Sequence, residues 1–475
     1  MSNSGEETQL SHFAEEDKPL LPVDIKVIKV EKSAHVGASR KSVFFNVCNT
    51  SMGASILALP FAFQAMGLIQ GLILLFIFAV ISLVGLDMLP LSAEAVGAKS
   101  YESMITGCYG RAMTIIFQIC VIFYSIGVAI GFVVITGDLI PPIVSSWTGN
   151  SFPNDIWYLQ PWFIELIITT LVLFPLASLR TLDSVKIASM CAISAVLYFT
   201  VIVVIESAFD LDQWQEEGIV EHTGMDLFSS IEWWKVSYDV FLGIPIMAFA
   251  FGGHSQAIFL FSEMHPKHRS LDQWNLVAAT GYTFLYAIYV IVAVLSNLRF
   301  LPGDSSNLLK QMLRINPNNA VLQIAAIAMS INIILAFPLF TFPVRFSIDR
   351  LVFPCLVSVY DATPAGAVWH RYLRYWALTF FIVYLCYTVA ATVGKIDLVF
   401  GLVGAIGGTL IKFTFPTLCY MKVGSIYRER FTNYDPKLPW SHWIGSILLL
   451  VISGAAGLIS AFLVLLRAYQ ARTVS

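Results

Sequence analysis

Asn46-Val47-Cys48-Asn49-Thr50-Ser51-Met52-Gly53-Ala54-Ser55-Ile56-Leu57-Ala58-Leu59-Pro60 lies inside an apolar segment long enough to cross a bilayer, yet its middle is wrong for a lipid-facing helix. Asn49, Thr50, Ser51, Gly53 and Ser55 crowd into two turns, and these residue types hold a helix poorly. Non-helical backbone survives at membrane depth only where protein or a water-filled cavity satisfies its polar groups. Two readings stand: a tightly packed Gly/Ser contact between helices, or a discontinuous helix whose free backbone ends hold a ligand.

Working outward, 57% of the 475 residues are hydrophobic, 12% are charged, and the mean hydropathy is +0.74. Soluble domains carry about 25% charged residues, so the deficit predicts an all-α membrane protein. The net charge of -3 shows no Lys/Arg-rich block of the kind nucleic acid requires. The seven cysteines have no metal-ligand spacing. Residues 1–42 are polar and do not read as a cleavable signal peptide.

Residues 1–41 read as a disordered cytosolic tail. Within it, Glu16-Asp17-Lys18-Pro19-Leu20-Leu21 has the form of an acidic dileucine signal, which would engage sorting adaptors through Glu16, Leu20 and Leu21. Eleven apolar stretches follow inside a transporter-sized region, 42–468. They lie at about 43–66, 69–92, 112–137, 162–179, 186–207, 237–262, 273–298, 320–344, 372–392, 397–420 and 443–466, each near the ~20 residues a bilayer needs. With the N-terminus cytosolic, the inner segments hold 21 of the 28 Lys and Arg residues, as the positive-inside rule requires. The loop at about 208–235 is acidic and reads as solvated.

Span six is interrupted as well: Gly243-Ile244-Pro245-Ile246-Met247-Ala248-Phe249-Ala250-Phe251-Gly252-Gly253-His254-Ser255-Gln256. Pro245 removes a backbone donor, and Gly252-Gly253 loosens the chain. Breaks in spans one and six are five spans apart. An inverted repeat of five plus five helices puts its discontinuous helices there, with repeat one at about 43–207, repeat two at about 237–420 and an extra helix at 443–466. In such a site, N–H groups near Ser51, Met52, Gly53 and Ala54 would receive a carboxylate. Carbonyls near Phe249, Ala250 and Phe251 would accept from an ammonium, with Gly252 letting the ligand approach. His254 is either a proton relay or a neutral gate residue. Asp87, Asp138, Glu165, Glu206 and Asp397 sit near span ends. No carboxylate at mid-depth is there to pair with a cationic side chain, which favours a neutral substrate. The glycines of Gly127–Gly131 and of Gly401–Gly408 read as helix-packing surfaces. No Walker loop, GxSxG or HExxH is present, so the chain does not read as an enzyme.

At these residues the chain resembles the amino acid/auxin permease family, closest to the sodium-coupled neutral amino acid transporter branch. The first stretch matches the family's N-x-x-N-x-x-x-G-x-x-I-L-x-L. Ser100-Tyr101-Glu102, Gly137-Asp138, the span-six run with His254, Phe342-Pro343-Val344-Arg345 and Ile348-Asp349-Arg350 match its other motifs. The resemblance implies the eleven-helix fold of the bacterial leucine transporter, alternating access and amino acid cargo. It implies ion binding at Asn49 and at a span-eight threonine whose position falls near Ala336. That hydroxyl is missing; Ser330 and Asn332 lie about a turn away and could substitute. The coupling ion is therefore Na+ or H+, with no other cofactor expected.

The expectation is a multi-pass symporter of small neutral amino acids in the plasma membrane or a lysosomal, vacuolar or endosomal membrane, touching lipid and no nucleic acid. The alternatives are an amino-acid sensor signalling through its tail, or a carrier of cationic amino acids or auxin-like organic acids.

Overall fold

The structure, a computed structural model, describes residues 38–52, 54–149, 156–179, 185–209, 231–299, 306–352, 364–430 and 440–474. The dileucine residues Glu16, Leu20 and Leu21, Gly53, and most of the acidic loop lie outside the described residues. Among those described, the chain is helical, and its one β pairing is a bridge between Ala38 and Met264.

Ser39 caps α1 (Arg40–Ser51) by accepting from the Ser42 N–H at 3.3 Å. The polar run then ends the helix. Thr50 Oγ1 donates back to the carbonyls of Asn46 at 2.9 Å and Val47 at 3.2 Å, a side-chain competition that weakens helical turns. Met52 leaves helical space at φ -81°, ψ 73°. A 3₁₀ turn, Ala54–Leu57, leads into α2 (Leu59–Met66), where Pro60 sits at a helix start that does not need its missing N–H. α3 (Leu68–Val96) and α5 (Arg111–Trp147) are continuous, joined by the short α4 (Tyr101–Tyr109) with a Ser100–Ser103 capping box. α6 (Pro161–Ile168) continues through a π turn, Thr169–Leu173, to Ala177, and α7 spans Val185–Phe209.

A second interruption has the same local form as the first. α8 (Val240–Ala250) stops at Phe251, at φ -98°, ψ 73°, close to the conformation of Met52. A 3₁₀ turn, His254–Gln256, again leads into a short helix, α9 (Ala257–Glu263). Gly253 between them has φ +92°, a region that only glycine enters without strain. α10 (Leu271–Arg299) and α12 (Ala320–Val352) are joined by the short α11 (Leu308–Ile315), which Asn307 caps. α13 (Pro364–Val393) precedes α14 (Ile396–Val403), two π turns at Gly404–Gly408 and Leu410–Thr414, α15 (Phe415–Arg430) and α16 (Trp440–Val474).

Each of the eleven apolar stretches contains helix where described. Seven stretches are long and apolar enough to cross a membrane on their own, and three shorter apolar helices fall at 161–177, 192–207 and 453–466. The eleventh, span one, is cut into α1 and α2 by its own polar residues. Large apolar side chains such as Leu171, Phe381 and Phe462 are 70%, 59% and 64% exposed, a surface that lipid covers and water would not. α5 and α12 form the broadest helix–helix interface. Glycines make the closest approaches: a Cβ on Gly127 would strike Val403, one on Gly131 would strike Phe400, and one on Gly404 would strike the Pro245 carbonyl.

Candidate functional site

The two interruptions meet. Ser51 Oγ donates to the Gly252 carbonyl at 3.1 Å. A Cβ on Gly252 would lie 3.2 Å from the Thr50 carbonyl oxygen, and one on Gly253 would lie 2.5 Å from Ser51 Oγ. Backbone thus packs on backbone, which side chains larger than glycine would prevent.

Beside this junction lies a cavity of about 300 Å³, at the small end of the ~300–1,000 Å³ range of small-molecule sites. Asn49, Ser51, Met52, Ala54, Phe249, Gly252 and Asn332 line it. Ala250, Phe251, Ser330 and His254 do not. Phe251 instead packs on Tyr282 and Tyr289 of α10, at centroid distances of 5.7 and 5.4 Å. Ser330 Oγ is buried without a partner.

The cavity runs along α5 and α12 toward Ser100, Glu102 and Ser347. At that mouth Glu102 accepts from Gln118 Nε2 at 2.6 Å and pairs with Arg350 at 3.0 Å. Here the Ser-Tyr-Glu motif acquires its physical meaning. Ser100 caps α4, Tyr101 donates to the Ile411 carbonyl at 2.7 Å, and Glu102 holds α12. In the other direction aromatic rings close the path: Phe249 stacks on Phe400 at 4.5 Å, and Phe132 meets Phe340 edge-on at 5.4 Å. Further along α5, buried Asp138 pairs with Lys310 and accepts from Asn307 Nδ2 at 3.3 Å. Glu165 is buried beside Gly137, and its Oε2 has no partner.

The carbonyls freed at the end of α8 are already engaged. Tyr289 donates to Ala250 at 2.9 Å, and Tyr282 donates to Gly252 at 2.5 Å. Lys412 Nζ donates to Ala248 at 2.9 Å and to Phe249 at 3.0 Å. Lys412 is 2% exposed, and its ammonium also lies 5.3 Å from the Phe249 ring centroid and 5.9 Å from that of Tyr124. The positive-inside count takes Lys412 as one of the 21 inner-side cations, whereas the structure buries it. The signal was present, because it is the one basic residue in the apolar run 396–421, and an ionisable residue inside a span calls for a partner.

His254 is buried, and its Nε2 faces the Ser82 carbonyl at 3.0 Å. A carbonyl only accepts, so this assigns the proton to Nε2, leaving Nδ1 without a partner. Gly85 of α3 makes room for both neighbours. A Cβ there would lie 3.1 Å from His254 Nε2 and 2.6 Å from the Lys412 carbonyl oxygen.

Residues 37–460 match the protein family described as Transmembrane amino acid transporter protein. The chain is 25% identical over 404 residues to amino acid transporter AVT6E of Arabidopsis thaliana, covering 83% of this chain and 78% of that protein. It is 26% identical over 441 residues to vacuolar amino acid transporter 5 of Saccharomyces cerevisiae, covering 84% and 92%. Solute carrier family 38 member 10 of Homo sapiens is 24% identical over 391 residues, covering 81% of this chain and 32% of that longer protein.

Proposed function

The chain belongs to the transmembrane amino acid transporter family, and from that premise we propose that it carries small neutral amino acids by alternating access, coupled to a cation. The protein is a multi-pass membrane protein of a transporter family, not an enzyme. The observation that carries the finer reading is the junction of two interrupted helices beside a cavity of about 300 Å³.

Eleven crossings in a five-plus-five inverted repeat account best for the chain. Three features support this. Met52 and Phe251 end α1 and α8 in nearly the same backbone conformation. A 3₁₀ turn and a short helix follow each. The short helices α4 and α11 fall at corresponding places, between the second and third spans of each half. The C-terminus then faces away from the cytosol, and the cavity, lined toward Glu102 and Ser347, opens inward.

In this reading the substrate carboxylate binds at Ser51–Ala54, where the second half of span one begins. The ammonium shares carbonyls around the α8 end, each of which keeps a second lone pair. In this state the Lys412 ammonium, one ring behind the cavity wall, opposes a second positive charge and favours neutral cargo. Asn49 and Asn332 face the same cavity and are the candidate ion contacts. The yeast relative's description as vacuolar supports an acidic organelle as the working membrane.

The test is uptake of a panel of labelled amino acids into proteoliposomes holding the purified protein, with sodium and pH varied separately. Saturable uptake of alanine- to leucine-sized neutral amino acids is expected. Uptake restricted to lysine and arginine, or no uptake of any amino acid, would overturn the reading.

A further inference from the structure

Lys412 sits where a cation belongs. α8 ends at Ala250, so the carbonyls of its last turn have no partners within the helix, and they carry the negative end of the helix dipole. In discontinuous-helix transporters such half-helix ends coordinate the coupling cation. In this chain the Lys412 ammonium donates to two of those carbonyls, Ala248 and Phe249. Among the described residues no acidic side chain lies within ion-pair distance of it.

We propose that the Lys412 ammonium is the tethered cation of the α8 half-helix, and that its proton is the ion whose movement this transporter couples to its substrate. The proposal deepens the transporter reading above and rests on it. Burial disfavours the charged amine, and hydrogen bonds to the charged form restore it. Here both restoring bonds come from carbonyls of α8, the element whose Phe249 lines the cavity. A shift of α8 relative to the π turn Leu410–Thr414 removes them. The amine then gives its proton to water in the cavity, leaving a neutral amine and hydronium. Returning α8 to its present place restores the bonds and recovers the proton.

The groups around Lys412 are few. His254, from the turn after α8, directs Nε2 at the Ser82 carbonyl and keeps an unpartnered Nδ1, and the neighbouring positive charge of Lys412 opposes a second proton there. Tyr124 of α5 presents its ring. Tyr101 of α4 reaches only the neighbouring Ile411 carbonyl. α15 brings Tyr420, about two helical turns beyond Lys412 along the chain. α8, α14 and the described side chains of α16 bring no titratable group facing it. The π turn itself supports the assignment, since such turns recur at functional positions.

The test uses the full chain in proteoliposomes and two readings from the same vesicles. One is exchange of a labelled neutral amino acid at equal concentrations on both sides. The other is its accumulation under an imposed pH gradient without sodium. The wild type should accumulate substrate and move protons with it, followed by an entrapped pH dye. Lys412→Arg, charged at every working pH, should lower the ratio of accumulation to exchange at least tenfold. Lys412→His should keep accumulation and shift its pH dependence toward acid by more than one unit. A Lys412→Arg protein that accumulates as well as the wild type overturns the proposal. So does a wild type whose substrate flux moves no protons, a measurement that needs no variant to fold. Absence of wild-type exchange with any amino acid would instead overturn the transporter reading itself.

Discussion

α8 ends among donors supplied by the rest of the protein, whereas α1 ends on a cavity wall. The carbonyls from Ala248 to Gly252 receive Lys412, Tyr289, Tyr282 and Ser51, from three other elements. At the end of α1, Thr50 folds back on its own helix, Ser51 donates to Gly252 and its carbonyl receives Tyr289 at 3.4 Å, while Asn49, Ser51, Met52 and Ala54 line the cavity. The two breaks share a backbone conformation but not a role. The α8 break is the more heavily braced of the two, although both line the cavity.

The comparison breaks most visibly at Gly404. Its Cβ position is filled by the Pro245 carbonyl, and backbone cannot yield as a flexible side chain can. Gly404→Ala is expected to destabilise the protein by about 3 kcal/mol, at the upper end for overpacking. Melting in detergent reads this, and an unchanged midpoint would mean that α8 is not braced. At the open break, Gly53→Val is expected to lower uptake at least tenfold while membrane expression holds, because the added isopropyl group fills the space given to the carboxylate. Full uptake would remove Gly53 from the site.

Smaller effects sharpen the contrast. Tyr282→Phe or Ser51→Ala alone leaves the Gly252 carbonyl one donor, so each should cost roughly 0.6 kcal/mol, the average for such bonds between membrane helices. The double variant strands that carbonyl and should exceed the sum, toward ~1–3 kcal/mol. Strict additivity would show that the two donors do not share an acceptor. Asn49→Ala should change the ion dependence of uptake more than it changes stability, read as uptake across ion replacement beside melting in detergent. Identical uptake across ion replacement would count against an ion contact there. Arg350→Ala at the cavity mouth comes last. Its pair with Glu102 is 34% and 21% exposed, so about 0.5 kcal/mol or less is expected, read as faster labelling of a cysteine placed at Ser347.

Both breaks were legible because they are written locally. Asn49-Thr50-Ser51 competes with its own helix, and Gly252-Gly253 permits the positive φ that the turn uses. The partners of the α8 carbonyls were not legible in the same way. Tyr282, Tyr289 and Lys412 lie 30 to 164 positions from the atoms they meet, and only packing brings them there. The short helices α4 and α11 went unremarked, although Ser100 with Ser103 and Asn307 ahead of Leu308, Leu309, Met312 and Leu313 carry ordinary helix-start and amphipathic signals. They were overshadowed by spans three times their length.

The paired π turns at Gly404–Gly408 and Leu410–Thr414 also give the chain a phase adjuster. Each fits an extra residue into its turn. A one-residue deletion between 404 and 408 could therefore relax one of them to an ordinary turn and keep the membrane crossing intact. Because the relaxed turn absorbs the lost residue, Phe400 would stay on Phe249 and Lys412 on its carbonyls, whereas a deletion with no π turn to absorb it would swivel one flank by about 100°. The two turns thus let the aromatic stack and the buried cation keep their contacts through a change of chain length between them.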